Sequence, residues 1–405
     1  MKLFISAGEP SGDLHAANLI RELKRLRPDV EIVGFGGPHM EREGARLLFP
    51  LVDLAVMWFL RVLLNLHKFI GLANQAERYF RDERPDAVIL IDYPGFHWAL
   101  AKRAKRHGVP VFYYVPPQIW AWAGWRVKKV RKYVDHLLCS LPFEPQWYRD
   151  RGVEGAIFVG HPYFDELDGR ELDEAFLAER RAIPGRKVAI LPGSRTQEVL
   201  RNMPVFLEAA SKLAREKFEL NFEVCALHEA HRQLILNQIA QSGLTLPIVV
   251  HAGRTPELIR MAEVAWAVSG SVGLELMVEA LPSVVLYKVN RIDLIIARPF
   301  IKSRFISLVN LMADREVMPE YLTADDVSGE LAGWASRWLG DPAARQLASQ
   351  TLADLRADVA KPGASARAAT RIVEVLSSLS RTKPEGFHPI GNRPHPSRDL
   401  HATGR

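Results

Sequence analysis

Short apolar runs, each closed by a small-residue turn and followed by a helix-compatible stretch, recur along most of this chain. In the first half they are LFISA (3–7), EIVGFGG (31–37), AVILID (87–92), VPVFYYV (109–115), HLLCSL (136–141) and AIFVGHP (156–162). The second half repeats the logic with VAILPG (188–193), LNFEVCA (220–226), PIVVHA (247–252), VAWAVSG (264–270) and SVVLYK (283–288). Regular alternation of this kind predicts parallel sheets with helices on both faces. Between 163 and 179 the chain turns charged and loses its pattern, which reads as a bridge. The expected architecture is therefore α/β: two doubly wound, Rossmann-like domains facing a cleft, over 1–165 and 166–345. Residues 346–379 read as helices packing back across the domains. The end, 380–405, has little to bury and reads as a disordered tail.

The bulk numbers restrict the class. A chain of 405 residues, 48% apolar and 25% charged, is an ordinary globular protein long enough for two cores. Cys139 and Cys225 offer neither a disulfide framework nor metal-ligand spacing, so a reducing compartment fits. The N-terminus lacks the pattern of a signal peptide, because Glu9 and Asp13 follow its short apolar run at once. No stretch approaches the roughly 20 apolar residues of a membrane span. A net charge of +6 fits anionic ligands or an anionic membrane surface and does not argue for nucleic acid.

Two turns carry the chemistry. In VAILPGSRTQ (188–197), Pro192 and Gly193 stop a strand, and Ser194 and Arg195 open a helix-compatible stretch. Glycine admits a ligand close to the backbone, helix N–H groups point outward, and the guanidinium fork matches phosphate oxygens. The alternative is an ordinary loop with a surface arginine. The second turn, SGSVGLE, follows the strand at 264–268. Ser269, Gly270 and Ser271 offer donors to a diphosphate, and Glu275 can accept two ribose hydroxyls. Two such turns in one parallel sheet look like the walls of a nucleotide cleft.

The segments SAGEPSGDLHAANLI, VMWFLRVL, VILIDYPGFH, PPQIWAW, GHPYFDE, LPGSRTQEV, SGSVGLE and SLVNLMADREVMPEYL occur in the order seen in the lipid-A-disaccharide synthases. The chain resembles that family over roughly residues 1–379. The resemblance implies the two-domain GT-B fold and an inverting glycosyltransferase of lipid A biosynthesis. It implies transfer of 2,3-diacylglucosamine from its UDP derivative to the 6-hydroxyl of 2,3-diacylglucosamine 1-phosphate, giving a β(1→6) disaccharide 1-phosphate and UDP. It also implies no cofactor and no metal; no Asp-x-Asp pair lies near either turn. The first domain would be the acceptor and lipid side, the second the UDP-sugar side.

Asp92 closes the strand AVILID at the carboxyl edge where α/β ligands sit, and the family's catalytic aspartate falls on this position. It is the candidate general base; the alternative is a turn cap. Gly193, Ser194, Arg195, Ser269, Gly270, Ser271 and Glu275 are the UDP candidates, with Asn310 and Arg315, beside Glu316, closing the cleft or else forming a charged surface helix start. Glu9, Ser11, Gly12 and Asp13 are expected to hold the acceptor, or to cap the first helix. His161 reads as a packed loop histidine. In 54–72, Trp58, Phe59, Arg61, Leu63 and Lys68 suit an acyl groove or a headgroup boundary; the basic, apolar stretch 291–305 is a second candidate. These readings place the protein in the cytoplasm, peripheral to the inner-membrane surface. The oligomeric state is not legible.

The chain departs from the family pattern where Trp58, Arg61, Gly95, His97, Ala280 and Asp314 stand. Those changes fall mainly on the acceptor and acyl side. Two rival readings follow: a UDP-sugar 2-epimerase-like enzyme, and a non-catalytic UDP-sugar or lipid-binding protein of the same fold.

Overall fold

The computed structural model describes residues 1–55, 66–298 and 301–381. Trp58, Phe59, Arg61 and Leu63 lie outside them. The described chain builds two all-parallel sheets. The first takes β1 (Lys2–Ala7), β2 (Glu31–Phe35), β3 (Arg46–Phe49), β4 (Ala87–Ile91), β5 (Val111–Tyr114), β6 (His136–Cys139) and β7 (Ala156–Phe158) in the order β3-β2-β1-β4-β5-β6-β7. The second takes β8 (Arg186–Leu191), β9 (Leu220–Ala226), β10 (Ile248–Ala252), β11 (Val264–Val268), β12 (Ser283–Lys288) and β13 (Glu320–Thr323) in the order β10-β9-β8-β11-β12-β13.

Each sheet is apolar on both faces because helices cover both. Phe4, Val88 and Tyr113 pack into one layer of the first sheet, and Ile5, Ile89 and Phe112 into the other. Ile190, Phe222 and Trp266 do the same for one face of the second, and Ala189, Ala265 and Val285 for the opposite face. The alternation of side chains along a strand supplies both layers from one run. This is the two-domain α/β architecture that the alternating pattern predicts.

β3 and β13 have no counterpart among the runs read from sequence. Each has four residues, lies at a sheet edge and is not fully buried on either face. Four half-buried residues carry too short a period to register as a strand.

The strand order places the sites. In the first sheet the winding reverses between β1 and β4, paired from Leu3↔Ala87 to Ala7↔Ile91. In the second it reverses between β8 and β11, paired from Val264↔Val188 to Ala267↔Leu191. A crevice forms at the carboxyl ends of the strands where the winding reverses. Gly8–Glu9 and Asp92 leave the first such point; the Gly193 and Ser269 turns leave the second.

The helix Pro342–Val359 stays with the second sheet, burying Leu352 there. The helix Ala364–Arg381 returns to the first and packs Ala368, Ala369, Ile372 and Val375 against Leu19, Ile20 and Leu23 of the helix Pro10–Leu26. Within 54–72 the described part is a core element: Phe69 and Leu72 of the helix Leu66–Glu83 are buried, while His67, Lys68 and Ile70 are exposed.

Candidate active site

Asp92 occupies the turn between β4 and the helix Pro94–Arg106 with φ +49°, and Tyr93 follows at +48°. Two consecutive non-glycine residues in the left-handed region are costly and persist only where their surroundings enforce them. Here the enforcement is polar. The Asp92 carbonyl accepts from the Tyr113 hydroxyl at 2.7 Å, and His97 Nδ1 lies 2.7 Å from the same oxygen. A carbonyl only accepts, so Nδ1 carries the proton and Nε2 accepts from the Ser6 hydroxyl at 2.9 Å. Burial holds His97 neutral, pushing its pKa down to about 3. The histidine that departs from the family pattern thus braces the backbone of the candidate base. Gly95 has open space around it, so its missing carboxylate leaves room.

Burial pushes the Asp92 carboxyl above its ordinary value; the Tyr93 N–H and the charge of His15 oppose that push. Glu9 is raised by burial and by Asp92, and Arg195 opposes it. The first-sheet crevice and the arginine of the second sheet are therefore within electrostatic range of each other. Tyr93 packs its ring over Gly8, where any Cβ would lie 2.3 Å from the ring.

The rest of the first turn is structural. Asp13 is buried, and its carboxylate accepts from the N–H groups of Gly37 (2.9 Å), His39 (2.9 Å) and Met40 (3.2 Å). In this structure it caps the helix Pro38–Arg42, where the sequence reading offered an acceptor contact or a cap on its own helix. Gly12 is buried against Ala7 and Ile91. Ser11 is exposed and Glu9 half-exposed.

On the second sheet, Gly193 has φ +129°, and an added Cβ would meet Glu198 at 2.5 Å, so this position needs glycine twice over. Glu198 Oε2 accepts from the N–H groups of Ser194 (3.0 Å) and Arg195 (3.2 Å), at the start of the helix Thr196–Leu213. The Arg195 side chain is 74% exposed and pairs with Glu198 at 2.9 Å.

Across β11, Ser269 spends both donors inside the protein: its N–H bonds to Leu286 O and its hydroxyl to Ile306 O. In this structure these are the donors that the sequence reading offered to a diphosphate. Gly270 and Ser271 are exposed. Glu275, buried on the helix Val272–Val278, accepts from the Tyr163 hydroxyl at 3.1 Å and from Arg170 Nη1. Each carboxylate oxygen keeps a lone pair for a ribose hydroxyl. Burial raises the Glu275 carboxyl, and Arg170 and Tyr163 oppose it.

Asn310 is fully buried. Its amide donates to Met318 O (2.7 Å) and Glu320 (2.9 Å), and its oxygen accepts from Val317 N (2.8 Å) and Met318 N (2.9 Å). All four hydrogen-bonding places are taken, so in this structure the side chain braces the loop before β13, where the sequence reading offered a UDP contact. Glu320 completes the brace by accepting from Ile306 N and Ser307 N. Arg315, on the same loop, is exposed.

His161 is buried, and its Nδ1 accepts from Tyr163 N at 3.2 Å, as a packed loop histidine would. Tyr163, Arg170, Glu198 and Glu320 were not among the sequence candidates. Tyr163 and Arg170 sit in the charged bridge, where no period points to them. Glu198, three residues after Arg195, is where a helix-capping carboxylate belongs, and that spacing was the available signal.

Residues 3–336 match the lipid-A-disaccharide synthetase family model. The chain is 36% identical to the lipid-A-disaccharide synthase of Anaeromyxobacter dehalogenans strain 2CP-1 over 375 residues, covering 93% of this chain and 97% of that one. The Myxococcus xanthus synthase shows 36% identity over 377 residues with the same coverage, and the Geobacter sulfurreducens synthase 34% over 380. Among solved structures, Neisseria meningitidis UDP-GlcNAc 2-epimerase bound to UDP-GlcNAc superposes with a TM-score of 0.59 at 10% identity, over 94% of this chain and 100% of that one. Acinetobacter baumannii MurG gives 0.56 at 12%, over 93% and 99%. At such identity these structures speak for the fold alone, so the epimerase likeness does not compete with the synthase relatives. With its model matched over most of its length and its relatives covered almost end to end, this chain belongs to the lipid-A-disaccharide synthase family of glycosyltransferases.

Proposed function

We propose that the cleft transfers 2,3-diacylglucosamine from its UDP derivative to the 6-hydroxyl of 2,3-diacylglucosamine 1-phosphate. The observation that carries this reading is the meeting of two crevices. Asp92 and Glu9 leave the reversal of the first sheet, Arg195 and Glu275 leave that of the second, and Arg195 acts electrostatically on Glu9. Asp92 takes the proton of the acceptor hydroxyl as its oxygen bonds to the anomeric carbon. The bond from that carbon to the diphosphate breaks in the same step, and the electron pair leaves with UDP. Arg195, with the backbone of Ser194, Gly270 and Ser271, meets the growing negative charge. Glu275 receives the ribose. Glu9, beside Asp92, is placed to orient the acceptor.

UDP release, followed with and without the acyl-sugar phosphate, tests the reading. Acceptor-dependent release supports transfer; release from the donor alone, or none, defeats it. Asp92→Asn should leave UDP affinity unchanged and lower turnover by roughly two to four orders of magnitude. Retained turnover above a tenth would remove Asp92 from the role.

We further propose contact with an anionic membrane surface in the cytoplasm. Among the described residues no helix is long and apolar enough to cross a membrane. Trp58, Phe59, Arg61, Leu63 and Lys68 are one contact segment. A second lies where Lys302 N bonds to Ala121 O, joining 291–305 to the helix Ile119–Trp122. Trp125 is 63% exposed and Ile292 and Ile295 are each 72% exposed. The Arg126 guanidinium stacks on both Trp122 and Trp125. Exposed aliphatic and indole side chains among basic residues suit a headgroup layer.

A further inference from the structure

Glu275 is held from outside its own sheet. Its side chain is only 7% exposed on the helix Val272–Val278. Oε2 accepts from the Tyr163 hydroxyl at 3.1 Å, and Oε1 accepts from Arg170 Nη1. Both donors belong to the bridge, 112 and 105 residues earlier in the chain. A carboxylate at this depth needs partners, and Arg170 supplies the opposite charge. Two bonds do not use up its acceptor places, so the carboxylate is fixed without being filled.

The bridge holds those two donors in place. Phe164, 3% exposed, packs into the same core layer as Leu274, Leu276 and Val309. Asp165 accepts from the N–H groups of Gly363 (2.6 Å), Ala364 (2.9 Å) and Ser365 (2.8 Å), at the start of the returning helix. Glu166 Oε1 lies 2.8 Å from His15 Nδ1 on the helix Pro10–Leu26. Three consecutive side chains thus tie the short helix Tyr163–Leu167 to the second core, to the returning helix and to the first domain. Gly169, at φ +72°, then turns the chain, and Arg170 N bonds back to Leu167 O at 3.4 Å. That turn returns Arg170 to the carboxylate that Tyr163 already meets.

The helix of Glu275 starts at the Gly270–Ser271 turn, which is exposed, and a Cβ built on Gly270 meets nothing within 4 Å. Open space therefore lies at the end of the helix where the nucleotide is proposed to bind.

We propose that Tyr163 and Arg170, carried by the bridge, are positioning residues that fix the Glu275 carboxylate for the ribose hydroxyls and so set the preference for a ribonucleotide donor. Glu275 touches the sugar; the bridge residues act through it. A carboxylate free to rotate would present its lone pairs to two neighbouring hydroxyls only part of the time, and restraint from both oxygens removes that cost before the ligand arrives.

The inference rests on Glu275 receiving the ribose, and the probes separate the two. UDP, 2′-deoxy-UDP and 3′-deoxy-UDP are titrated into the full chain by calorimetry. The parent should prefer UDP to at least one deoxy analogue by about tenfold or more, the range of a hydrogen bond to a charged group. Glu275→Ala should erase that preference. Tyr163→Phe should cut it by about threefold or more, and Arg170→Gln about as far as Glu275→Ala, because UDP weakens while the deoxy analogue barely changes. Arg170→Lys should restore part, since it keeps the charge and loses the fork. In a Glu275→Ala background neither bridge variant should lower the preference further. With the UDP-sugar, the loss should fall on its KM more than on kcat. If Glu275→Ala erases the preference while Tyr163→Phe and Arg170→Gln keep it, the inference fails alone. If the parent shows no preference, or Glu275→Ala keeps it, the ribose reading fails with it. Equal weakening of all three nucleotides marks a merely structural contact and overturns the proposal. Should Arg170→Gln not fold, the preference in Tyr163→Phe decides.

Discussion

Arg195 and Glu198 hold each other at 2.9 Å across the turn that leaves β8, while the second Glu198 oxygen takes the N–H groups of Ser194 and Arg195. The same guanidinium and the same two N–H groups are those proposed for the diphosphate. One carboxylate thus fills the place an anion would take, and on the proposed reading UDP would exchange it for phosphate oxygens.

Removing each partner should therefore have opposite effects on UDP affinity, read by calorimetry. Arg195→Ala should weaken UDP about tenfold to a hundredfold, the range of a hydrogen bond to a charged group. Arg195→Lys should recover only part, since it lacks the fork. Glu198→Gln should tighten UDP by a small factor, about threefold, as the loss of an exposed competing charge allows. An Arg195→Ala protein that binds like the parent would return Arg195 to the surface-residue reading. A Glu198→Gln protein that binds more weakly would show that Glu198 prepares the turn instead of competing for it.

His97 should make folding stability sensitive to acid. Its folded pKa, about 3, lies below the ordinary 6.5, so the unfolded chain binds the extra proton in between. The contribution is whole above 6.5 and is lost progressively as pH falls toward 3. Raised carboxyls such as Glu144, pushed up to about 7, act with the opposite sign and lose their contribution as pH rises from 4.5 toward 7. The difference between parent and His97→Asn isolates the histidine. Urea midpoints should converge as pH is lowered from 6.5 toward 4; a constant difference would mean the imidazole is not held neutral.

Asn310→Ala should cost stability more than UDP affinity. It strips partners from Val317 N, Met318 N and Met318 O, each worth about 1–3 kcal/mol when left buried and unpaired. The melting temperature should drop, with UDP affinity changing less than in Arg195→Ala. Unchanged melting with collapsed UDP binding would make Asn310 a ligand contact after all.

Membrane contact predicts co-sedimentation with anionic vesicles free of substrate, partly released by high salt. Serine at Trp122, Trp125, Ile292 and Ile295 together should reduce it, because insertion of each such side chain contributes roughly 1.5–3 kcal/mol. Serine at Trp58 and Phe59 should reduce it separately. A parent protein that never sediments at low salt would end the membrane reading.

The alternation of strands and helices was legible because hydrophobic period is a local property: Leu3 to Ile5 or Val188 to Ile190 need only their neighbours to declare a buried strand. The family segments and the positions of Asp92, Gly193 and Arg195 at strand ends were legible for the same reason. Tertiary structure alone decided which polar groups face the cleft. Asp13 and Asn310 look like ligand groups in sequence, yet both are consumed by backbone amides, because a buried turn must satisfy its own N–H groups first. Strand order, with β4 beside β1 and β11 beside β8, was needed to bring the two turns of each sheet together. His15 near the start of the first domain and Glu166 at the start of the bridge meet only because the chain closes there, and no periodicity encodes a contact made at that distance.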